Sequence, residues 1–179
     1  VIARDGRVTI WSRGEDMLSD RFTDLTSVLQ RLPDGCVLDG EILAWEPGAD
    51  RPLPFSDLQL RIGKTSQARH DELLFVDTPV RFVTYDLLEQ NGEDIRTQPL
   101  ATRREKLASI VHALKGEPAV SLSPVIAAQS WGELAELRAS SRERGVEGLM
   151  LKRLASAYGT GRERGDWWKW KIEPVTIDA

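Results

Sequence analysis

Asp166-Trp167-Trp168-Lys169-Trp170-Lys171 sets two lysines two positions apart in a run that is otherwise mostly tryptophan. In an extended chain successive side chains point to opposite faces. Trp167, Lys169 and Lys171 then share one face, and Trp168, Trp170 and Ile172 share the other. The first face carries two cations. The second is large and apolar, and its pattern predicts that it faces the core. Two readings follow. Fixed lysines on a rigid sheet hold an anion such as a phosphate, or they guard an edge strand against pairing with other chains. Both make this run a sheet strand, so the elements upstream have to supply its partner.

Those elements mix strands and helices. Residues 1–4 and 8–12 flank Asp5-Gly6, a hairpin-turn pair. Phe22, Leu25, Val28, Leu29 and Leu32 recur at helical spacing until Pro33 stops them. Residues 36–45 read as a strand, 47–54 as a Pro/Gly loop, and 55–62 as a short helix capped by Ser56. A strand over 80–88 ends in an Asn91-Gly92 turn. Thr102-Arg103-Arg104-Glu105 has the form of a capping box, followed by Leu107, Ile110, Val111 and Leu114 on one helix face. Residues 120–127 are extended. Ser130-Trp131-Gly132-Glu133 is a second capping box, and its helix ends near Gly145. A strand over 146–153, a loop over 155–165 and the final strand over 167–173 complete the chain. The predicted fold class is α+β, with mainly antiparallel sheets packed with helices around one core.

Composition narrows the function classes. The 179 residues are 41% hydrophobic and 29% charged, as in ordinary globular domains. A net charge of -4 argues against a simple electrostatic nucleic-acid binder, although a local basic face can sit on an acidic whole. Cys36 is the only cysteine, which excludes an internal disulfide and fits a reducing, cytoplasmic location. No apolar run approaches membrane-spanning length. The start, Val1-Ile2-Ala3-Arg4, is neither a signal peptide nor a usual translation start, and it reads as an excerpt from a longer protein.

Four polar clusters interrupt otherwise apolar strands. Asp39-Gly40-Glu41 puts two carboxylates on one strand face, where they meet a cation, hydroxyl or metal, or else are solvated at a bulge. Glu147-Gly148-Leu149-Met150-Leu151-Lys152 opens with an acid beside a glycine that permits close ligand approach, or with a plain strand-end acid. In Phe82-Val83-Thr84-Tyr85-Asp86-Leu87-Leu88, Tyr85 either stacks on a planar ring or packs in the core. Ser12-Arg13-Gly14 offers an arginine at a strand exit, suited to a phosphate or simply exposed.

In this order, and followed by Trp167 through Lys171, the clusters resemble the ordered motifs of the nucleotidyltransferase domain of ATP-dependent DNA ligases. That superfamily includes RNA ligases and mRNA capping enzymes. Phe55-Ser56-Asp57-Leu58-Gln59-Leu60-Arg61-Ile62-Gly63 looks like DNA ligases in particular, as does Gly92-Glu93-Asp94-Ile95-Arg96 with Pro99-Leu100 and Arg103-Arg104. The resemblance spans nearly the whole chain and implies the ATP-grasp-like fold of ligases and capping enzymes.

It also implies roles. Tyr85 falls where the family stacks an aromatic on adenine. Glu41 falls at an acid that contacts the ribose and helps hold metal, and Glu147 at the acid that supports the divalent metal. Lys169 and Lys171 match the catalytic pair on the α-phosphate. Arg13 matches an arginine on the nucleotide or the nick phosphate. The implied cofactors are ATP and Mg²⁺, and the implied partner is nicked duplex DNA, sealed by a monomeric enzyme through lysyl-AMP and DNA-adenylate. Such enzymes serve DNA repair, replication and recombination.

Two features depart from the family. The signature K-x-D-G-x-R, whose lysine is the nucleophile, is absent, because Ala3 stands where Ala3-Arg4-Asp5-Gly6-Arg7 would need lysine. The true motif is expected upstream of Val1, and an OB-fold domain downstream. Glu163 stands where the family often has arginine, so Arg162 or Arg164 is expected to substitute in nucleotide binding. The alternatives are an RNA ligase or capping nucleotidyltransferase, or a non-catalytic nucleotide- or DNA-binding module.

Overall fold

The computed structural model describes residues 1–63, 78–114, 116–161 and 165–173. Strands β1 (Ile2–Arg4) and β2 (Arg7–Thr9) form the expected hairpin, antiparallel with Ala3 opposite Val8. Asp5 and Gly6 both take positive φ, 53° and 67°, the backbone that a tight two-residue turn demands. β1 then pairs with β3 (Cys36–Ala44), and β3 with β4 (Val80–Gln90). Asn91-Gly92 turns β4 back into the short β5 (Glu93–Asp94). β6 (Val120–Leu122) lies parallel to β4 near its other end. The result is one six-stranded sheet in the order β2-β1-β3-β4-β5, with β6 beside β4.

Among the described residues four α-helices accompany the sheets: α1 (Thr23–Leu29), α2 (Phe55–Gly63), α3 (Leu100–Ala113) and α4 (Trp131–Ala139). Phe22, Leu25 and Leu29 join Leu107, Ile110 and Leu114 in one buried cluster with Leu38, Phe82 and Leu87 of the sheet. Each such side chain contributes about 1.5–3 kcal/mol on burial.

The helix ends differ from the sequence reading. Helix α2 already begins at Phe55, so Ser56 lies inside its first turn and is not the cap. Helix α3 has Pro99 at its N-cap and no side-chain cap, so Thr102 starts no capping box. Its first amides donate instead to a distant loop, Leu100 N to Ser156 O and Ala101 N to Leu154 O, both at 2.9 Å. Such a tertiary cap is invisible in a local pattern. At α4, Ser130 does cap, with Glu133 N donating to its Oγ at 3.2 Å. That helix ends at Ala139, six residues before Gly145, and turns carry the chain onward.

A separate two-stranded sheet pairs β7 (Gly148–Lys152) with β8 (Trp167–Lys171), antiparallel. Leu149, Leu151, Trp168 and Trp170 share its outer face. Sequence pattern predicted a core contact for both tryptophans, and the structure corrects this. Trp168 is 55% exposed, and Trp170 is half-buried against α4, edge-on to Trp131 at 6.1 Å with the Arg138 guanidinium 5.3 Å from its ring. A single nine-residue helix is too small to cover this face, so only part of it is dry.

Candidate nucleotide site

The site grows from an irregularity in the β3–β4 ladder. Asp39 pairs with Asp86 and Gly40 with Thr84, which leaves Tyr85 as the extra residue of a bulge. Gly40 is required here, because a Cβ would lie 2.6 Å from the Phe82 ring and 2.7 Å from the Val83 carbonyl. Helix α3 braces the bulge from behind. Arg104 Nη1 donates to the Tyr85 carbonyl at 3.3 Å, and Arg103 grips the Asp86 carboxylate through Nε and Nη2 at 2.8 and 3.0 Å.

On the open face of the bulge, Asp39 Oδ2 accepts the Tyr158 hydroxyl at 2.7 Å. Burial, and then the hydrogen bond to Asp39, push the Tyr158 phenol above its ordinary range. Burial, followed by the Asp39 carboxylate, does the same to Tyr85, and Glu41 adds to the effect. Glu41 itself is exposed. The two acids of Asp39-Gly40-Glu41 therefore differ: one is tied into a hydroxyl network, and the other is free to meet solvent or ligand.

The second sheet faces this cluster with its cationic side. The Lys152 ammonium stands 4.4 Å from the centre of the Tyr85 ring and 3.7 Å from that of Trp167. Burial pushes its pKa down to about 8, against the pull of Asp86 and Asp39. Trp167 meets Tyr158 edge-on at 5.4 Å and donates Nε1 to Ser156 Oγ at 3.1 Å. Cross-strand register puts Lys152 beside Trp167, Met150 beside Lys169, and Gly148 beside Lys171. These three rows share one face, as the alternation predicted. At the far row Lys171 is ion-paired with Glu147, which holds that carboxyl below its usual range. Gly148, at φ 141°, has no room for a side chain because a Cβ would lie 2.3 Å from the Trp170 carbonyl. The close approach that this glycine permits is thus to the neighbouring strand.

The sequence candidates divide accordingly. Tyr85 joins the cluster, Glu147 and Lys171 pair directly, and Lys169 stands exposed on the same face between them. Arg13 is exposed in the turn after β2, where Ser12 Oγ accepts the amides of Gly14 and Asp16 at 3.1 and 3.0 Å. Arg162 lies outside the described residues. Sequence reasoning missed Asp39 as the hub, together with Lys152, Tyr158 and the bracing pair Arg103 and Arg104. Lys152 was readable in principle, since antiparallel pairing with β8 puts it on the lysine face. Tyr158 gave no signal, being a loop residue 119 positions from its partner.

Among the described residues no group of three His, Cys, Asp or Glu side chains converges as a preformed metal cage. Glu41 and Glu147 are exposed hard-oxygen donors. That suits Mg²⁺, which takes one or two protein carboxylates and completes its shell with water and phosphate oxygens. No helix among the described residues is long and apolar enough to cross a membrane.

Comparison with known proteins places the chain in a family. Residues 1–171 match the family model described as ATP dependent DNA ligase domain. A probable DNA ligase of Koribacter versatilis is 37% identical over 99% of this chain and 33% of its own length. A DNA ligase of Haloferax volcanii is 29% identical over 97% of the chain and 28% of its own length. The chain thus spans about a third or less of these relatives. Among solved structures, mycobacterial DNA ligase D complexed with ATP and MES superposes with a TM-score of 0.65 at 26% identity, over 94% of this chain and 49% of that one. The Chlorella virus DNA ligase-adenylate shares the fold, with a TM-score of 0.58 at 18% identity over 95% of this chain and 57% of its own.

Proposed function

Because the chain belongs to the family of ATP-dependent DNA ligase domains, we propose that it is the adenylation domain of a DNA ligase and that its full-length protein seals nicks in duplex DNA with ATP. One observation carries the reading: Lys152, which shares one face of β7–β8 with Lys169 and Lys171, stands 4.4 Å from the centre of the Tyr85 ring. Strands rise about 3.3 Å per residue, so Lys169 lies roughly 7 Å beyond the Lys152–Trp167 row and Lys171 roughly twice that. A nucleotide whose base rests at Tyr85 extends its phosphates toward those lysines.

Each residue then has a task. The Tyr85 ring is the stacking platform, and Glu41 receives the ribose hydroxyls. Lys169 and Lys171 face the α-phosphate, where negative charge builds during nucleotidyl transfer, and fixed cations stabilise that charge best where water is scarce. Arg13 binds the nucleotide or the nick phosphate, and Arg162 or Arg164 binds the nucleotide. Glu147 and Glu41 would hold Mg²⁺, which would supply neutralisation of phosphate charge. Phosphate drawn to Lys171 competes with Glu147 for its ammonium and frees that carboxylate for the metal. The full-length protein would pass AMP from an enzyme lysine to the 5′-phosphate of a nick, a chemistry shared by repair, replication and recombination.

The test is a labelled-ATP adenylation assay on the full-length protein, followed by sealing assays on nicked duplex DNA and on broken RNA. A covalent adduct and sealing of the DNA nick are expected. An adduct with sealing of RNA alone supports an RNA ligase, and no adduct at all supports a non-catalytic module.

A further inference from the structure

We propose that Tyr158 is a positioning residue that sets where the phosphate-facing lysines stand relative to the Tyr85 platform. The proposal rests on the site reading above. The two sheets share no strand pairing among the described residues, so the lysine-bearing sheet is placed by other contacts. Most of these lie behind the site, at the start of α3. Tyr158 N donates to Arg96 O at 2.7 Å, Arg103 Nη1 to Ser156 O at 3.1 Å, and the α3 amides to Leu154 and Ser156. The Tyr158 side chain reaches the open face instead. Its hydroxyl ends on Asp39 of the large sheet at 2.7 Å, while its ring edge meets Trp167 of the small sheet at 5.4 Å.

Trp167 is the first residue of β8 and lies two before Lys169 on the same face. A strand is stiff over that distance, so a tilt of Trp167 carries Lys169 with it. The Lys152 ammonium, between Trp167 and Tyr85, completes the bridge. Tyr158 therefore couples the anionic hub that flanks the platform to the strand that carries the cations. Reacting groups misplaced by about 1 Å lose on the order of a hundredfold in rate, so one hydroxyl at this junction is enough to matter.

The test uses the full-length protein and Tyr158→Phe, which keeps the ring and its packing on Trp167. The expected result is a melting temperature within a few degrees of wild type, a KM for ATP within about threefold, and an adenylation rate down tenfold or more. Adding Tyr158→Phe to Asp39→Asn should cost less than a further twofold, because contacts that act through one bond are not additive. A wild-type rate in Tyr158→Phe, or losses that multiply independently in the double variant, would overturn the proposal. Lys169→Ala run alongside separates two failures. If it keeps the wild-type rate, the site reading falls and this inference falls with it. If it loses rate while Tyr158→Phe does not, this inference alone falls.

Discussion

Arg103 and Asp86 form an ion pair in which neither side chain has any exposed surface. The guanidinium meets the carboxylate side-on, and its remaining nitrogen donates to the carbonyls of Gln98 and Ser156. It thereby ties together β4 beside Tyr85, the start of α3 and the loop that leads to Tyr158. Removing one end of such a pair strands the other charge in a dry interior, at about 3–5 kcal/mol. Urea unfolding of Arg103→Met should show a loss of that order. Arg103→Met combined with Asp86→Leu should unfold later than Arg103→Met alone, because no buried charge is then left unpaired.

Lys152 gives a pH signature. Its pKa falls from the ordinary 10.5 to about 8 in the folded protein. Between those values the unfolded chain binds the proton and the folded chain does not, so stability gained through this group rises with pH. Below pH 8 the folded state carries the full cost of a desolvated ammonium. Each pKa unit corresponds to about 1.4 kcal/mol, of which solvent screening leaves only a fraction for this half-buried side chain. Lys152→Met should therefore melt higher than wild type at pH 7, and the gap should narrow by pH 9.5. A gap that is constant with pH would show that Lys152 titrates normally.

For Tyr85, ring and hydroxyl have separable roles. Base stacking on an aromatic contributes about 1–3 kcal/mol, so Tyr85→Ala should raise the KM for ATP at least fivefold. Tyr85→Phe should leave it within twofold. The Asp39 carboxylate beside the phenol keeps Tyr158 as a donor, so losing the Tyr85 hydroxyl leaves no acid stranded. Equal damage from both variants would assign the binding to the hydroxyl.

Much of this layout was legible in the sequence, for reasons that also explain what was not. The Asp5-Gly6 and Asn91-Gly92 turns announce hairpins because their backbone demands are local. The lysine parity of β8 follows from a strict two-residue period that no tertiary contact alters. The helix start at Phe55 was legible but its cap was not, since Ser56 lies inside the first turn, and the start at Leu100 was not legible because its first amides are satisfied by a distant loop. The outer tryptophans were assigned to a core because alternation shows which residues share a face, and not whether anything covers it. The Tyr85 bulge depends on how two distant strands pair, and the Asp39–Tyr158 bond and the Lys152 sandwich depend on how two sheets meet. No spacing within one strand encodes that.

The central claim is that the cationic face of β8 binds phosphate and does little for stability. The most direct measurement is the single-turnover adenylation rate of Lys169→Ala in the full-length protein, paired with its thermal melt. Lys169 is exposed, so its removal should leave the melting temperature within about 2 °C of wild type. Losing one donor to a developing oxyanion should lower the rate about a hundredfold or more. A variant that melts early and retains its rate would contradict the strand's facing and, with it, the placement of the phosphate site.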